Sequence, residues 1–538
     1  MSKIFGIDLG TTYSCIAFVD EYGKPTVVTN EDNEPVTPSV VYFETAENVP
    51  VGTVAKKSLE TDPANVCSTV KRQMGNGDWF FEAHGTQFRA EQISALILKK
   101  LAKDASEKLG EEVTDVVITC PAYFGMAERE ATKNAGIIAG LNVLSILNEP
   151  TAAALSYGLD SNKAETVLIY DLGGGTFDVT IIKVVPGESI SVVATGGDHN
   201  LGGKDWDETI RGYLADKFAQ ETNVTDDIYD DPETLGDLEL KSENAKKALS
   251  KKDKTLTKVV FKGTSATVEL SKETFDEITK NLLDSTIDKT REMLVEAEKN
   301  GVTSYDKILL VGGSSRMPQV KDRLVSEFPN IPIETFDPDE SVAKGAAIYG
   351  MNITGYNIDE GGGKTGTTGG DTPAKPTYGV GGGAGGAGGA GPIKINNVIS
   401  KSFGVELVVD DHGTLKVVNL IKKNKTLPID TMLPAGTLVD NQTSIEIKVF
   451  ENEVSDDVVD QSICKFLGED SIKGLPANLP KGSRVEITFK ISEEGTLAVE
   501  AFEVTGKNKI FMSFDIKDAM TQEQIDAAIE KMVGLRVF

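Results

Sequence analysis

Histidine is scarce. His84, His199 and His412 are the only three in 538 residues, and none lies near another along the chain. A histidine-ligated metal centre and a Ser-His-Asp triad are both disfavoured by that count. Cysteine is nearly as rare: Cys15, Cys67, Cys120 and Cys464 are widely spaced and form no CxxC pair. The chain opens MSKIFGID, without the charged-then-apolar segment of a secretion signal, so a reduced, cytoplasmic protein is expected. Uninterrupted apolar runs are missing as well, none approaching the ~18–20 residues that cross a bilayer. Positive charge is in deficit, 55 Lys and Arg against 83 Asp and Glu, for a formal net charge of -28. Such a field opposes non-specific contact with nucleic acid or anionic membranes and favours solubility.

What is present is an ordinary globular composition, 39% hydrophobic and 26% charged, in a chain too long for one core. Roughly three or four domain-sized units are expected. The clearest boundary is Gly361 to Gly391, where 15 of 31 residues are glycine. A stretch of that kind buries too little apolar surface to offset its ordering entropy and predicts a flexible coil. Before it, β-branched strands alternate with helical runs such as AEQISALILKKLAKDASEKLG, the pattern of an α/β architecture. After it come short alternating strands: SIEIKVFE puts Ile445, Ile447 and Val449 on one face, and RVEITFKI does the same for Val485, Ile487, Phe489 and Ile491. Turn signals at DDHG, EEG and TGKN separate them, which predicts an antiparallel all-β sandwich. One short helix follows, with Thr521 as N-cap, Gln524 completing a capping box and Gly534 as its stop. The expected division is therefore 1–355, a linker over 356–392, a sandwich over 393–519 and a helix over 520–538.

The α/β part carries one device twice. IFGIDLGTTYSC runs an apolar strand into Asp8 and a Gly-Thr-Thr turn, and VLIYDLGGGTFDV does so with Asp171 and Thr176. Each turn leads into a returning strand and then a third, the opening meander of one lobe, so the chain reads as internally duplicated. Two facing lobes would bring both turns to one cleft. There glycine lets main-chain N–H groups approach a phosphate, threonine hydroxyls add donors, and Asp8 and Asp171 share a divalent cation. Mg²⁺ suits a few carboxylates plus water and phosphate oxygens. An Asp-Gly pair at a strand end is also an ordinary hairpin turn, and each copy alone is open to that reading. A third glycine pair, Gly312 and Gly313 in KILLVGGSSRMP, also ends an apolar strand, yet no Walker motif or strong Rossmann fingerprint is present.

Seven motifs, in order, carry a family resemblance: IDLGTTYS, the VKR around Lys71, TCPAYF, LNEPTAAA, YDLGGGTFDV, GGDHNLGGKDWD and VGGSSRMP. Together they resemble the nucleotide-binding domain of the DnaK-like heat-shock protein 70 chaperones, from residue 3 to about 350, and the likeness resumes from about 397 to 533. The resemblance implies a multidomain protein: an actin-like ATPase fold of two ribonuclease H-like lobes, then an all-β peptide-binding sandwich and one short helix. It implies ATP or ADP, Mg²⁺ and K⁺ as cofactors.

Carried over by position, Gly10, Thr11, Thr12 and Tyr13 line the phosphates with Gly173, Gly174 and Gly175, while Asp8 and Asp171 hold Mg²⁺ mostly through its waters. Lys71 orients the attacking water on this resemblance, although by sequence alone an ordinary solvated surface lysine is the preferred reading and only the motif context reverses it. Glu149, Thr176 and Asp178 complete the catalytic cluster. Gly202 and Gly203 belong to the same loops. Glu243, Lys246 and Ser250 grip adenine and ribose, with Lys247 where many members place an arginine, a better planar stacking partner. Gly312, Gly313, Ser314, Arg316 and Asp339 form the opposite wall, and Pro121 with Arg129 relays nucleotide state to the second domain.

Two departures qualify the resemblance. The short apolar linker that docks on the ATPase domain is replaced by the glycine-rich tract, leaving Ile393, Ile395, Val398 and Ile399 to imitate it, so weak coupling is expected. The helical lid that follows the first helix in the family is not found before Phe538, so a lidless binder with fast peptide exchange is expected. By position Val405, Leu407, Leu438, Ile445 and Ile447 line the peptide groove; the alternative is that they are the sandwich's own core residues, a reading nearly as strong for Ile445 and Ile447. Cys15 is read as a small buried side chain. The function implied is an ATP-dependent chaperone for extended hydrophobic segments of unfolded proteins, with a J-domain partner and a nucleotide exchange factor. A nucleotide-binding co-chaperone or regulatory platform with little ATPase activity is the alternative. A filament former or sugar kinase on the same fold is disfavoured by the attached β domain.

Overall fold

The computed structural model describes residues 3–160, 163–354, 393–410, 412–492, 495–512 and 519–538. The glycine-rich tract and the rest of the expected linker at 356–392 lie outside the described residues. Duplication is visible in the sheets. In the first lobe, β1 (Ile4–Asp8) pairs antiparallel with β2 (Tyr13–Val19), β2 with β3 (Pro25–Val27), and on its other side β1 runs parallel to β4 (Asp115–Cys120) and β4 to β5 (Asn142–Asn148). The second lobe repeats the order with β6 (Glu165–Leu172), β7 (Phe177–Val185) and β8 (Ser189–Asp198) as the meander. There β9 (Lys307–Val311) and β10 (Ile333–Thr335) are the parallel pair. These central strands are nearly continuous runs of Val, Ile and Leu because helices cover both faces, as parallel strands require.

Two helices cross between the lobes: α3 (Glu149–Asp160), which starts where β5 ends, and α6 (Ser341–Thr354). At Gly345 a Cβ would overlap the carbonyl of Ala152, and at Gly6 it would overlap the backbone of α6 at Ala347. Backbone touches backbone at the pivot, which only glycine permits. Around it Ala152, Leu155, Ile169, Val311, Val342 and Ala346 form the core shared by both lobes. Helices α1 (Ala90–Leu109) and α2 (Met126–Ile138) cover the first sheet; α4 (Gly203–Thr222) and α5 (Pro232–Leu249) belong to the second lobe.

One strand joins the second sheet from the far side of the linker. Lys394–Asn396, β11, runs parallel to β8 with Ile395 opposite Ile190. Ile393 and Ile395 pack on the shared core, and Val398 is buried within it. Beyond this strand lies the sandwich. One sheet orders the strands Val458–Val459, Leu415–Ile421, Ser402–Val408, Ser444–Asn452 and Lys465–Lys473; the other orders Ile429–Gly436, Arg484–Ile491, Leu497–Glu503 and Asn508–Met512. Alternation puts Val485, Ile487, Phe489 and Ile491 into its core at no more than 1% exposure, against Phe403, Val449 and Val499.

The last helix, α7 (Gln522–Val533), begins with the predicted capping box of Thr521 and Gln524 and stops at Gly534. Its apolar stripe of Ile525, Ala528 and Met532 joins the core of the first lobe, and Arg536 and Val537 pair with Asn48 and Val49. Among the described residues no helix is long and apolar enough to cross a membrane.

Candidate functional site

Because the meanders are copies, their turns meet. The loop after β1 and the loop after β6 abut so closely that a Cβ on Gly174 would overlap the side chain of Thr12, and one on Gly175 that of Thr11. Gly202 packs on Gly175 with equally little room. Gly312 takes a left-handed φ of 78° and brings the third glycine turn against Asp171 and Leu172. Between these loops lies a cleft of about 630 Å³.

The cleft wall holds Asp8, Gly10, Thr11, Thr12, Tyr13, Lys71, Glu149, Asp171, Gly173, Gly174 and Thr176 on one side. On the other side it holds Glu243, Lys246, Lys247, Ser250, Gly312, Gly313, Ser314, Arg316 and Asp339. Asp178, Gly175, Gly202 and Gly203 stand behind this wall. Asp178 is buried and accepts a hydrogen bond from the Ala122 N–H at 3.0 Å. Gly203 offers its carbonyl to Lys246 Nζ at 2.7 Å. Cys15 is buried below the first loop, as expected of a packing residue.

Lys71 is buried, not a surface lysine, and its Nζ meets Glu149 Oε1 at 2.5 Å. Burial opposes its charge, but Glu149 and Asp8 outweigh burial and hold the ammonium above its ordinary range. The carboxylates are more numerous than the cations. Burial, then Glu149, pushes the Asp8 carboxyl up to about 7, and the same causes raise Asp171 and Asp178 well above the usual carboxylate range. Four acidic groups crowd one lysine here, and a cation would relieve that repulsion. Among the described residues no cluster of three or more ligand-type side chains could hold a metal by itself. That donor set fits Mg²⁺ held by few carboxylates, with water and phosphate completing its shell.

At the mouth, residues from both lobes close on Tyr13. Its hydroxyl donates to Glu243 at 2.9 Å and accepts from Lys56 Nζ at 2.8 Å and Lys247 Nζ at 2.9 Å. Lys56 and Lys247 both pair with Glu243, and although burial opposes its charge they hold its carboxyl far below the usual range. Lys247 thus serves an ion-pair latch in this structure. Lys56 escapes sequence reasoning because no motif surrounds it. Asp207, which pairs with Lys246 at 2.8 Å, is missed despite lying in GGKDWD. Arg72 is missed too: its Nε donates to the Gly175 carbonyl and its guanidinium grips Asp205 at 2.6 Å, tying the first lobe to the second loop.

Behind the cleft, Arg129 donates to the carbonyls of Phe124 and Ala122 and to Asn148, so it fixes the segment after Pro121 to the residue preceding Glu149. One helical turn on, Thr151 Oγ1 donates to Asn397 beside β11 at 2.9 Å. Further contacts reach the sandwich: Met126 N–H to Glu451, Lys465 to Glu128 at 3.3 Å, and Thr195 N–H to Asn424 at 3.0 Å. In the sandwich, Val405 and Ile447 are buried in the core, Leu407 and Ile445 are half-buried at its edge, and Leu438 is 52% exposed.

A family model described as "Hsp70 protein" matches residues 4–84, 76–360 and 384–535. The chain is similar to a protein of Halobacterium salinarum (strain ATCC 29341 / DSM 671 / R1) described as "Chaperone protein DnaK", 35% identical over 530 residues, which is 97% of this chain and 77% of that relative.

Proposed function

The chain belongs to the Hsp70 family, a DnaK-like chaperone whose relatives are ATPases that use ATP or ADP with Mg²⁺, and on that premise we propose an ATP-hydrolysing chaperone acting on extended apolar segments of unfolded polypeptides. The observation that carries this reading is the abutment of Thr11–Thr12 on Gly174–Gly175 beside the buried Lys71–Glu149 pair. ATP lies with its phosphates against the two glycine-hydroxyl loops and its nucleoside between α5 and the Gly312–Arg316 turn. Asp8 and Asp171 would hold Mg²⁺ together with water and phosphate oxygens, and the ion would supply charge neutralisation at those oxygens. Lys71, fixed by Glu149, aligns the attacking water and offsets charge developing on the γ-phosphate. Asp178 steadies the loop at Ala122, and Thr176 contributes a hydroxyl at the same end. K⁺ completes the cofactors, and the setting is the cytoplasm. Positioning and electrostatics supply the catalysis, with no covalent step on the protein.

Coupling has two opposed determinants. The glycine-rich composition of 361–391 favours weak coupling. Strand pairing of β11 and the Thr151–Asn397 contact support transmission from Glu149 to the sandwich. Peptide binding falls to the groove expected at Val405, Leu407, Leu438, Ile445 and Ile447, and a J-domain partner and an exchange factor serve the cycle. The test is ATP turnover against a Lys71→Ala control, together with peptide off-rates in ADP and in ATP. Turnover above the control with nucleotide-dependent off-rates is expected; turnover equal to the control returns the protein to the platform reading.

A further inference from the structure

A second cavity of about 360 Å³ lies behind the catalytic cleft, and Lys71 and Thr176 line both. The remaining wall comes from both domains, with Arg72 and Asn76 from the first lobe, His199 and Asn200 from the second, and Lys401 and Lys465 from the sandwich. Its charge is unlike that of the protein as a whole. Lys71, Arg72, Lys401 and Lys465 face only Asp78 and Glu128 as acidic lining, in a chain of net charge -28. Lys71, Arg72 and Lys401 pair with Glu149, Asp205 and Glu453, which do not line the cavity, and Lys465 pairs with Glu128, which does. Glu128 Oε2 is buried with no hydrogen-bond partner, and so is the Tyr123 hydroxyl. A ligand that is anionic yet carries one acidic O–H satisfies both kinds of wall, and monohydrogen phosphate is such an ion.

We propose that this second cavity is a site for inorganic phosphate, through which the phosphate cut from ATP leaves while ADP still occupies the front cleft. The inference rests on the ATP reading above. On that reading ADP fills the space between the loops and α5, and the Tyr13 latch closes the mouth, so a phosphate released beside Lys71 has ADP in front of it. The cavity behind it begins at the same two side chains. Cationic lining lowers the cost of moving a dianion into a partly enclosed space, and the volume holds the ion with several waters at ~30 Å³ each.

The full chain with Mg²⁺ and limiting labelled ATP tests it in a single turnover. Acid-quenched samples report cleavage, and a fluorescent phosphate-binding reporter reports free inorganic phosphate. Asn200→Trp and Asn76→Trp fill the cavity from opposite walls and touch no group assigned to catalysis. Expected is unchanged cleavage with phosphate release slowed by about tenfold, a barrier rise of about 1.4 kcal/mol, so that free phosphate lags behind ADP formation. Release that keeps pace with cleavage in both variants overturns the exit. A parallel loss of cleavage in both overturns it too, since the cavity then serves the chemical step. If the parent chain itself gives no cleavage in the quenched samples, the ATP reading fails first and separately.

Discussion

Thr12 stands where a side chain on Gly174 would have to go. The two loops belong to different lobes, and their contact makes one wall of the cleft out of two separate turns. Gly174→Ala must therefore part the loops or displace Thr12. We expect the fold to persist and ATP affinity to fall by at least about tenfold, ~1.4 kcal/mol, read by nucleotide titration. Thr12→Ala added to Gly174→Ala should recover part of that loss by returning the space.

Lys71 and Glu149 are a buried pair, so removing one strands the other. Lys71→Met leaves Glu149 beside Asp8 and Asp171 with no cation, a change that costs about 3–5 kcal/mol in pairs of this kind. Melting temperature should drop, and ATP cleavage should fall by ~10²-fold or more. Glu149→Gln on the Lys71→Met background should restore the melting temperature and leave cleavage lost, which separates charge balance from chemistry.

Glu451 carries a pH signature. It is buried where the sandwich meets the first lobe, facing Glu128, Lys401, Lys465 and the Met126 N–H. Burial, then Glu128, raises its carboxyl from 4.5 to about 7 while Lys401 and Lys465 pull the other way. When the domains separate, the group regains water and its ordinary value. Below about 4.5 both states are protonated and the contact carries no penalty. The penalty grows as pH rises from 4.5 to about 7 and is complete above it. The domains should hold together more firmly at pH 6 than at pH 8, measured by small-angle scattering, and Glu451→Gln should flatten the profile and tighten the contact at pH 8.

Val398 is 4% exposed in the core shared by the lobes, directly after β11. Val398→Asp places an unpaired charge there. Tryptic cleavage after Lys394 should become faster and peptide off-rates should lose their dependence on nucleotide, whereas ATP affinity should hold.

How much of this was legible in the sequence depends on distance along the chain. Asp8, Asp171 and the glycines around them are readable because each strand-turn device is local and is written twice. The Arg72–Asp205 grip and the Tyr13 latch are not, since Lys56 lies in no motif and the pairing of Glu243 and Lys247 with Tyr13 arises only when the lobes face each other. Ile393, Ile395, Val398 and Ile399 are identifiable as the apolar residues available to imitate a docking strand, but a strand of three residues reading KIN has no periodicity to announce its partner. Helix α7 is similar: its capping box and stripe are evident, yet nothing in TQEQIDAAIEKMVG says that the stripe covers the first lobe. Groove positions are the least legible. Alternation tells which face is inward, and inward residues such as Val405 and Ile447 read the same whether they fill a core or floor a groove.

By lying along Ser189–Ser191, β11 also covers part of the edge of β8 in the second lobe's sheet. Lifting it away bares a row of backbone amides and carbonyls to any extended chain nearby, the raw material of unwanted strand-to-strand adhesion. On the proposed reading, in which the protein works among unfolded chains, β11 is therefore also a shield, and a molecule caught with it detached is itself prone to strand-to-strand capture.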